Sequence, residues 1–271
     1  MSNTYADKFV VANGIRVHYQ EWGDPSRPDV LLVHGWSTAA PIWHEIASEL
    51  SSEYHVIVPD NRGNGESQVQ EHGYKLSDYV EDLAKLIIEI HLDRPALVGS
   101  SWGGNIGTYM AVEYPELISK VVLADPVYWK MIDAFKTIIP HIISRLKDSE
   151  DTVRLKALQN GANHQKAERE VYINYHFSPT VLKHIATQNR DWSLESENYL
   201  AGSSVPTLLL IADPEAGGYI SDVEFEHIRE IASANVELRF WKGVGHLMHA
   251  EAPNRFLREV KEFLLRPSAG P

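Results

Sequence analysis

The chain has 271 residues, with 25 Lys or Arg against 37 Asp or Glu, which gives a formal net charge of −12. This length fits one large α/β domain or two small ones, and the acidic balance argues against a nucleic-acid partner because phosphate binding needs a basic surface. The absence of cysteine excludes disulfides, thiolate nucleophiles and cysteine-type zinc sites.

The sequence predicts no targeting or membrane-crossing segment. The stretch MSNTYADKFVVANG lacks a basic run followed by an apolar run, so it does not resemble a signal peptide. Uninterrupted apolar windows stay well short of the roughly 18 residues that a membrane-spanning helix needs. We therefore expect a cytoplasmic protein without a membrane span.

Short apolar runs alternate with helical patterns along most of the chain. Two strands come first, joined by Asn13-Gly14, a strong hairpin signal. Later strands are apolar throughout, which indicates burial on both faces, and they are predicted over DVLLV, YHVIVP, PALVG, KVVLA, PTLLLIA and VELRFW. Helices are predicted between them, with Ser77 as the N-cap of the helix LSDYVEDLAKLIIEIHL. This alternation predicts an α/β fold with a mostly parallel sheet covered by helices on both faces.

The alternation stops between residues 127 and 200. That stretch is helical and aromatic-rich and has no clear buried strand. We interpret 127–200 as a helical lid inserted into an α/β core formed by residues 1–126 and 201–271. It should lie over the carboxyl ends of the strands, where open α/β sheets bind ligands.

Residues 99–103 read GSSWG and match the pattern G-x-S-x-G between a buried strand and a helix. Such a sharp turn forces its central residue into a strained conformation, and the glycines leave room for it. Ser101 then projects above the helix N-terminus, where the dipole favours negative charge. Ser101 is the candidate nucleophile, whereas Ser100 should pack or make a local hydrogen bond.

Two further motifs could complete a site around Ser101. HGW at 34–36 follows the third strand, and its turn can aim the Trp36 backbone N–H beside that of Trp102, as an oxyanion hole requires. GVGH places His246 after the last strand, where a histidine can serve as general base. His249 is the local competitor for that role. The loop DNRGNGES is not a phosphate loop, because it lacks the terminal G-K-[ST].

These motifs resemble, in order and over nearly the whole chain, those of α/β-hydrolase-fold enzymes. They are HGW, DNRGNGES, GSSWGG, the DP after VVLA, and GVGH. The resemblance implies an eight-stranded sheet, a Ser–acid–His triad and a lid after the sixth strand. It also implies acyl transfer, since members that hydrolyse epoxides or haloalkanes use aspartate in the place of Ser101.

The acid that would support His246 is open among three carboxylates. Most members of the family place it after strand seven, where this chain has Asp213 and Glu215. Haloalkane dehalogenases and zearalenone-type lactonases place it after strand six, where this chain resembles them with Asp125 in VVLADP. We place Asp125 first and keep Asp213 and Glu215 as alternatives.

The predicted function is a serine hydrolase that cleaves a carboxylic ester or lactone of a hydrophobic small molecule. The expected substrate pocket is aromatic-walled and involves Trp36, Trp102, Tyr128, Trp129 and Met131. No metal ligand cluster or nucleotide loop is visible, so no metal and no cofactor are expected. A C–C bond hydrolase and a small-molecule receptor of the same fold are the alternatives, and a homodimer is one open oligomeric state.

Overall fold

One sheet of eight strands organises the chain, and the predicted fold class is confirmed. The computed structural model describes residues 5–128, 131–188 and 198–267. Neighbouring strands follow the order β1-β2-β4-β3-β5-β6-β7-β8. The strands are β1 (Tyr5–Ala12), β2 (Ile15–Trp22), β3 (Asp29–Val33), β4 (His55–Pro59), β5 (Ala96–Ser100), β6 (Lys120–Ala124), β7 (Thr207–Ala212) and β8 (Val236–Trp241).

The first two strands form the antiparallel edge of the sheet. Asn13 and Gly14 both have positive φ, 50° and 75°, as the predicted two-residue hairpin turn requires. β2 pairs antiparallel with β4, and every pairing from β4 across to β8 is parallel. The carboxyl ends of the parallel strands therefore meet along one edge, where the loops after β3, β5 and β6 come together.

Helices connect the strands and cover both faces of the sheet. Within the described ranges they are α1 (His44–Leu50), α2 (Leu76–Glu89), α3 (Trp102–Glu113), α4 (Met131–Arg145), α5 (Glu150–Gln159), α6 (His164–Tyr175), α7 (Pro179–Gln188), α8 (Asp222–Ile231), α9 (Met248–Glu251) and α10 (Pro253–Leu265). None of the helices in this part of the chain combines the length and the apolar character needed to cross a bilayer.

The central strands are buried on both faces, as their unbroken apolar sequences predict. In β3, Leu31 and Val33 belong to the core layer under α2 and α3. Val30 and Leu32 point the opposite way, into the layer that contains Trp43. This period of two gives each face of the sheet its own core, and the two layers together hold the strand ends rigidly in register.

The start of α2 differs from the prediction. The helix begins at Leu76, so Ser77 is its second residue and not its N-cap. The Lys75 backbone N–H instead donates to Asp78 Oδ2 at 2.7 Å. The acidic side chain of the first turn thus reaches back to close the helix end, a contact that stabilises an N-terminus as a serine cap would.

The described part of the segment between β6 and β7 consists of helices joined by short turns and loops. It supplies α4 to α7, and no strand interrupts it in its described residues. α5 packs on α6, and α4 packs on α7. A single antiparallel bridge joins Phe177 of this segment to Asn64, which lies in the loop after β4. The helical segment is therefore tied to the carboxyl edge of the sheet.

Candidate active site

Ser101 occupies a strained turn between β5 and α3. Its backbone has φ 55° and ψ −119°, in the region that residues other than glycine rarely adopt. The Ser101 N–H donates to Ala124 O at 2.9 Å, which ties the turn to the end of β6. Ser101 is mostly buried and its side chain lines a cavity above the sheet. The strain is thus held in place by the neighbouring strand.

The two outer glycines of GSSWG are needed for close backbone contacts. A Cβ on Gly99 would lie 2.1 Å from the carbonyl oxygen of Gly103. A Cβ on Gly103 would lie 2.1 Å from the carbonyl oxygen of Val33 in β3. Any side chain at either position would push the helix away from the sheet. The spacing of the motif therefore reflects how closely α3 approaches β3 and β5.

His246 lies beside Asp125. The imidazole Nδ1 is 2.7 Å from Asp125 Oδ2. Asp125 is fully buried and has a positive φ of 44°. Its carboxylate also accepts from the Tyr219 N–H at 3.0 Å and the Ala212 N–H at 3.3 Å. These backbone donors fix the carboxylate, and the carboxylate in turn orients the imidazole of His246, which lines the cavity.

The other two candidate acids lie elsewhere. Asp213 accepts from the Gly243 N–H at 2.7 Å and from the Glu215 N–H at 2.9 Å, so its carboxylate caps the loops after β7 and β8. Glu215 is exposed. Of the three carboxylates that the sequence left open, the structure brings Asp125 to His246 and engages Asp213 in loop structure.

His249 lines the same cavity but has different surroundings. Both of its ring nitrogens are buried without a hydrogen-bond partner among the described residues. The ring packs on Trp43, with centroids 4.4 Å apart. Burial, with the nearby His246, lowers the pKa of His249 to about 3. His249 is therefore a neutral imidazole with no carboxylate to orient it, unlike His246.

The HGW loop is anchored by its own histidine. Burial lowers the pKa of His34, so its ring is neutral. Nε2 accepts from the Asn61 N–H at 2.9 Å, which leaves Nδ1–H to donate to the Gly35 carbonyl at 2.6 Å. Thr38 Oγ1 donates to the same carbonyl at 3.0 Å. Because the Gly35 carbonyl and the Trp36 N–H share one peptide plane, these bonds fix the direction of that N–H.

The Trp102 N–H is the second predicted oxyanion donor. Trp102 is the first residue of α3, where backbone N–H groups have no acceptor within the helix. A Cβ built on Gly35 would lie 3.8 Å from Ser101 Oγ, so the HGW loop runs directly beside the serine. The two predicted donors therefore belong to segments that meet at Ser101.

Sequence reasoning missed two asparagines that support these loops. Asn64, in DNRGNGES, donates through Nδ2 to Trp36 O at 2.8 Å and to Thr38 O at 2.7 Å. Asn105, on α3, bonds Val127 O and Val127 N–H at 2.9 and 3.1 Å. The signal for Asn105 is an amide inside an apolar helix, since a fully buried amide needs partners.

A cavity of about 220 Å³ joins these elements. Ser101, His246, Trp36 and Trp102 line it from the sheet, and Ile138 and Ile173 line it from the helical segment. Among the described residues no hydrogen bond joins Ser101 to His246, and such bonds often tighten only when substrate binds. Ser100 is buried and lines the cavity too, and its hydroxyl has no described partner, so of the two roles expected for it the structure is consistent with packing and not with a local hydrogen bond.

Three of the residues predicted to form the pocket, Tyr128, Trp129 and Met131, are not found in the described cavity wall. Tyr128 is buried in the core, where its hydroxyl and Thr108 Oγ1 lie 2.8 Å apart, and it does not contribute to the described cavity wall. This corrects the prediction, because a partner for the hydroxyl draws the ring inward. Trp129 lies outside the described residues. Met131 begins α4, and its side chain lies outside the described part of the structure.

Among the described residues, no group of three or more histidine, aspartate and glutamate side chains is placed to hold a metal ion. Polar groups in the cavity are instead arranged as a serine, an imidazole backed by a carboxylate, and backbone N–H groups. Chemically, such a set can move one proton and stabilise one developing oxyanion.

Comparison with known proteins gives a family model and curated relatives. The model described as alpha/beta hydrolase fold matches residues 28–211, more than half of the chain. Epoxide hydrolase 4 of Mus musculus is 35% identical over 113 residues, 41% of this chain and 32% of that protein. The 3-hydroxybutyrate-oligomer hydrolase of Cupriavidus necator is 34% identical over 113 residues, 41% of this chain and 39% of that protein. The matches thus span well under half of these relatives.

A solved structure resembles the chain over nearly its whole length. The structure of E-2-(acetamidomethylene)succinate hydrolase aligns with a TM-score of 0.80, covering 96% of this chain and 99% of that chain. Sequence identity across that alignment is 19%, so the likeness concerns the fold alone.

Proposed function

The chain belongs to the alpha/beta hydrolase fold family, and from that membership and its site geometry we propose that it is a serine hydrolase of small carboxylic esters or lactones. The observation that carries the proposal is the 2.7 Å contact between His246 Nδ1 and Asp125 Oδ2 in the cavity that Ser101 lines. In this proposal Ser101 is the nucleophile, His246 the general base and Asp125 the orienting acid.

The proposed proton path follows from the tautomer that Asp125 selects. With Nδ1–H donating to Asp125, Nε2 holds a lone pair and can take the Ser101 proton. Ser101 Oγ then attacks the carbonyl carbon and forms a tetrahedral intermediate. His246 returns the proton to the departing alcohol oxygen, which leaves an acyl-enzyme. Water deprotonated by His246 releases the acid and restores Ser101.

The oxyanion would be stabilised by the backbone N–H groups of Trp36 and Trp102. Both are set before substrate arrives, Trp36 by the bonds on the Gly35 carbonyl and Trp102 by its place at the start of α3. Donors that need no reorganisation are worth about 3–4 kcal/mol each to a transition state. The Trp102 position adds the favourable end of a helix dipole.

Similarity to epoxide hydrolase 4 does not favour epoxide opening here. The residue at the turn is serine, and a serine hydroxyl gains most by attacking a carbonyl, whose oxyanion the adjacent N–H groups can stabilise. The 3-hydroxybutyrate-oligomer hydrolase is named for a hydrolytic activity on such oligomers and is comparably similar. These points together support acyl transfer.

The cavity favours a small substrate with an apolar portion. Its volume, about 220 Å³, lies below the range of roughly 300–1,000 Å³ that drug-sized ligands fill. Its walls include two tryptophans from the sheet and two isoleucines from the helical segment. We propose that residues 127–200 act as a lid over the core formed by 1–126 and 201–271, since α4 and α6 supply one wall of the cavity.

The proposal is tested by turnover of p-nitrophenyl acetate and butyrate and by labelling with a fluorophosphonate. We expect hydrolysis and labelling by the wild type, and loss of both in Ser101→Ala with unchanged thermal unfolding. The variant Ser100→Ala is the matched control and should be labelled normally. A wild type that neither turns over esters nor takes the label would be a receptor or another enzyme of this fold, and the proposal would be wrong.

A further inference from the structure

One arginine side chain lines the cavity on the side formed by the helical segment. Arg145, the last residue of α4, contributes to the wall that the helical segment provides. Among the described residues the other charged group on that wall is Glu170, which is exposed. A permanent charge beside isoleucines and tryptophans costs free energy unless something pairs with it. A side chain in the position of Arg145 is therefore expected to pair with an anionic group.

The described residues do not supply that partner. Arg145 Nε is buried without a hydrogen bond, and Nη2 makes a long contact of 3.4 Å to Ser37 O. No carboxylate in the described residues lies within ion-pair distance of Arg145. The buried Arg62 shows the usual arrangement, since its Nε and Nη2 both bond Asp82, the former at 2.6 Å. Arg145 differs because its guanidinium bonds no carboxylate among the described residues and its Nε–H has no acceptor there.

The pKa of Arg145 changes in the direction expected for a cation without a close carboxylate. Burial lowers the pKa of Arg145, and the charge of Glu170 opposes the shift only in part. The guanidinium stays charged, because arginine is not deprotonated in proteins. The chain as a whole carries a net charge of −12, which repels anions at long range. Any preference for an anion must therefore come from a local cation such as Arg145.

We propose that Arg145 binds a carboxylate of the substrate, so that the preferred ester carries an anionic group at the end that lies under α4. This inference rests on the proposed serine-hydrolase function and names its substrate class. The planar guanidinium matches a carboxylate in a two-point contact, and its buried Nε–H is one of the donors needed. The apolar walls would hold the part of the substrate between that carboxylate and the scissile carbonyl.

The competing explanation is structural. Arg145 sits at a helix C-terminus, where a cation is favourable, and its contact to Ser37 O touches the HGW loop. An arginine that only clamps this loop would affect all substrates equally. Substrate pairs with and without a free carboxylate separate the two explanations.

The experiment compares the monoethyl and diethyl esters of succinic, glutaric and adipic acid, with acid release followed in a pH-stat. The diethyl ester carries a second ethyl ester in place of the free carboxylate, so initial rates are compared per ester group, before the monoethyl product accumulates. We expect the wild type to prefer the monoethyl ester at one or more chain lengths. The optimum length would report the distance from Ser101 to Arg145.

Arg145→Gln should lower kcat/KM for the preferred monoethyl ester about 10- to 100-fold. The diethyl ester should change by less than about threefold, within the range of surface substitutions. Arg145→Lys should retain part of the preference, as a point charge without the fork. Glu170→Gln should increase the preference. Arg169→Gln is the matched control, because Arg169 pairs with Glu45 and is not among the described cavity residues.

Two results would overturn the inference: a wild-type preference for the neutral ester at every length, or an equal loss on both esters in Arg145→Gln. Turnover of the diethyl ester that depends on Ser101 would show that the proposed function survives such a result. If no ester is hydrolysed, calorimetric binding of monoethyl glutarate decides, since it should be lost in Arg145→Gln. Absence of binding to the wild type would then contradict the inference.

Discussion

Asp125 Oδ2 lies 2.7 Å from His246 Nδ1, although 121 positions separate the two residues in the chain. The contact exists because Asp125 leaves β6 with a positive φ, which turns its side chain toward the loop after β8. Backbone N–H groups of Ala212 and Tyr219 then hold the carboxylate from the β7 side. Three neighbouring strand ends thus converge on one imidazole.

The choice of acid gives the first prediction. Asp125→Asn should lower kcat about ten-thousand-fold, because an amide does not select the tautomer that leaves Nε2 unprotonated. Asp213→Asn should keep turnover near the wild-type value. It should lower the free energy of unfolding by about 1 kcal/mol, since one loop N–H loses a charged acceptor. Steady-state kinetics and urea unfolding measure both. The reverse pattern, with Asp213→Asn inactive and Asp125→Asn active, would refute the assignment.

The two glycines that flank Ser101 in GSSWG give the second prediction. Gly103→Ala should reduce the free energy of unfolding by more than about 3 kcal/mol or prevent folding, because the added Cβ meets the Val33 carbonyl. Gly202→Ala is the control, since a Cβ there meets only the Val112 side chain, at 3.7 Å. Its effect should stay within about 1 kcal/mol. Thermal unfolding followed by circular dichroism compares them, and equal stability of the two variants would contradict the steric argument.

The third prediction concerns Asn105, which we expect to position the backbone next to Asp125. Asn105→Leu leaves the buried N–H and C=O of Val127 unpaired, at roughly 1–3 kcal/mol each. Because Val127 follows Asp125 by two residues, we expect kcat to fall more than KM changes. Thr108→Val, one turn further along α3, is the control and should leave kcat nearly unchanged. A destabilised Asn105→Leu with wild-type kcat would limit this residue to a structural role.

The fourth prediction concerns His249 and the dependence of the free energy of unfolding on pH. Its pKa is about 3 in the folded protein, whereas an unperturbed histidine titrates near 6.5. Below about pH 6.5, His249 binds a proton in the unfolded chain but not in the folded protein. Lowering the pH therefore reduces the free energy of unfolding by up to about 1.4 kcal/mol per pH unit. His249→Phe keeps the ring contact with Trp43 and removes this titration.

The stability lost between pH 7 and pH 5 should therefore be about 2 kcal/mol smaller in His249→Phe than in the wild type. Urea unfolding at both pH values measures the difference. The exposed substitution His164→Gln should leave the loss unchanged. His44, whose pKa burial lowers to about 4, contributes equally to all three proteins. An identical loss in His249→Phe and wild type would show that His249 is not the cause.

Much of the fold could be predicted from sequence because its signals are local. Apolar strands and the Asn13-Gly14 turn each act within a few residues, and the glycines around Ser101 belong to a pattern confined to residues 99–103. The start of α2 was misplaced because both Ser77 and Asp78 can close a helix end, and the backbone direction entering the helix decides between them. Tyr128 was misplaced because its partner, Thr108, is 20 positions away.

The acid could not be chosen from sequence for the same physical reason. Asp125 and Asp213 both follow buried strands, and either side chain is long enough to reach a histidine. What separates them is the positive backbone φ at Asp125 and the different loops whose N–H groups bind each carboxylate. Both depend on contacts between loops that are far apart in the chain.

Ser101 and Asp125 share one backbone property, a positive φ of 55° and 44° respectively. Each such residue costs of order 1–3 kcal/mol that a glycine would not. The two side chains to which the proposal gives the nucleophile and the orienting acid thus stand at positions where the backbone conformation by itself favours glycine. Replacing Ser101 by glycine would therefore relieve backbone strain and remove the proposed nucleophile in one change, so stability and activity should move in opposite directions at this position.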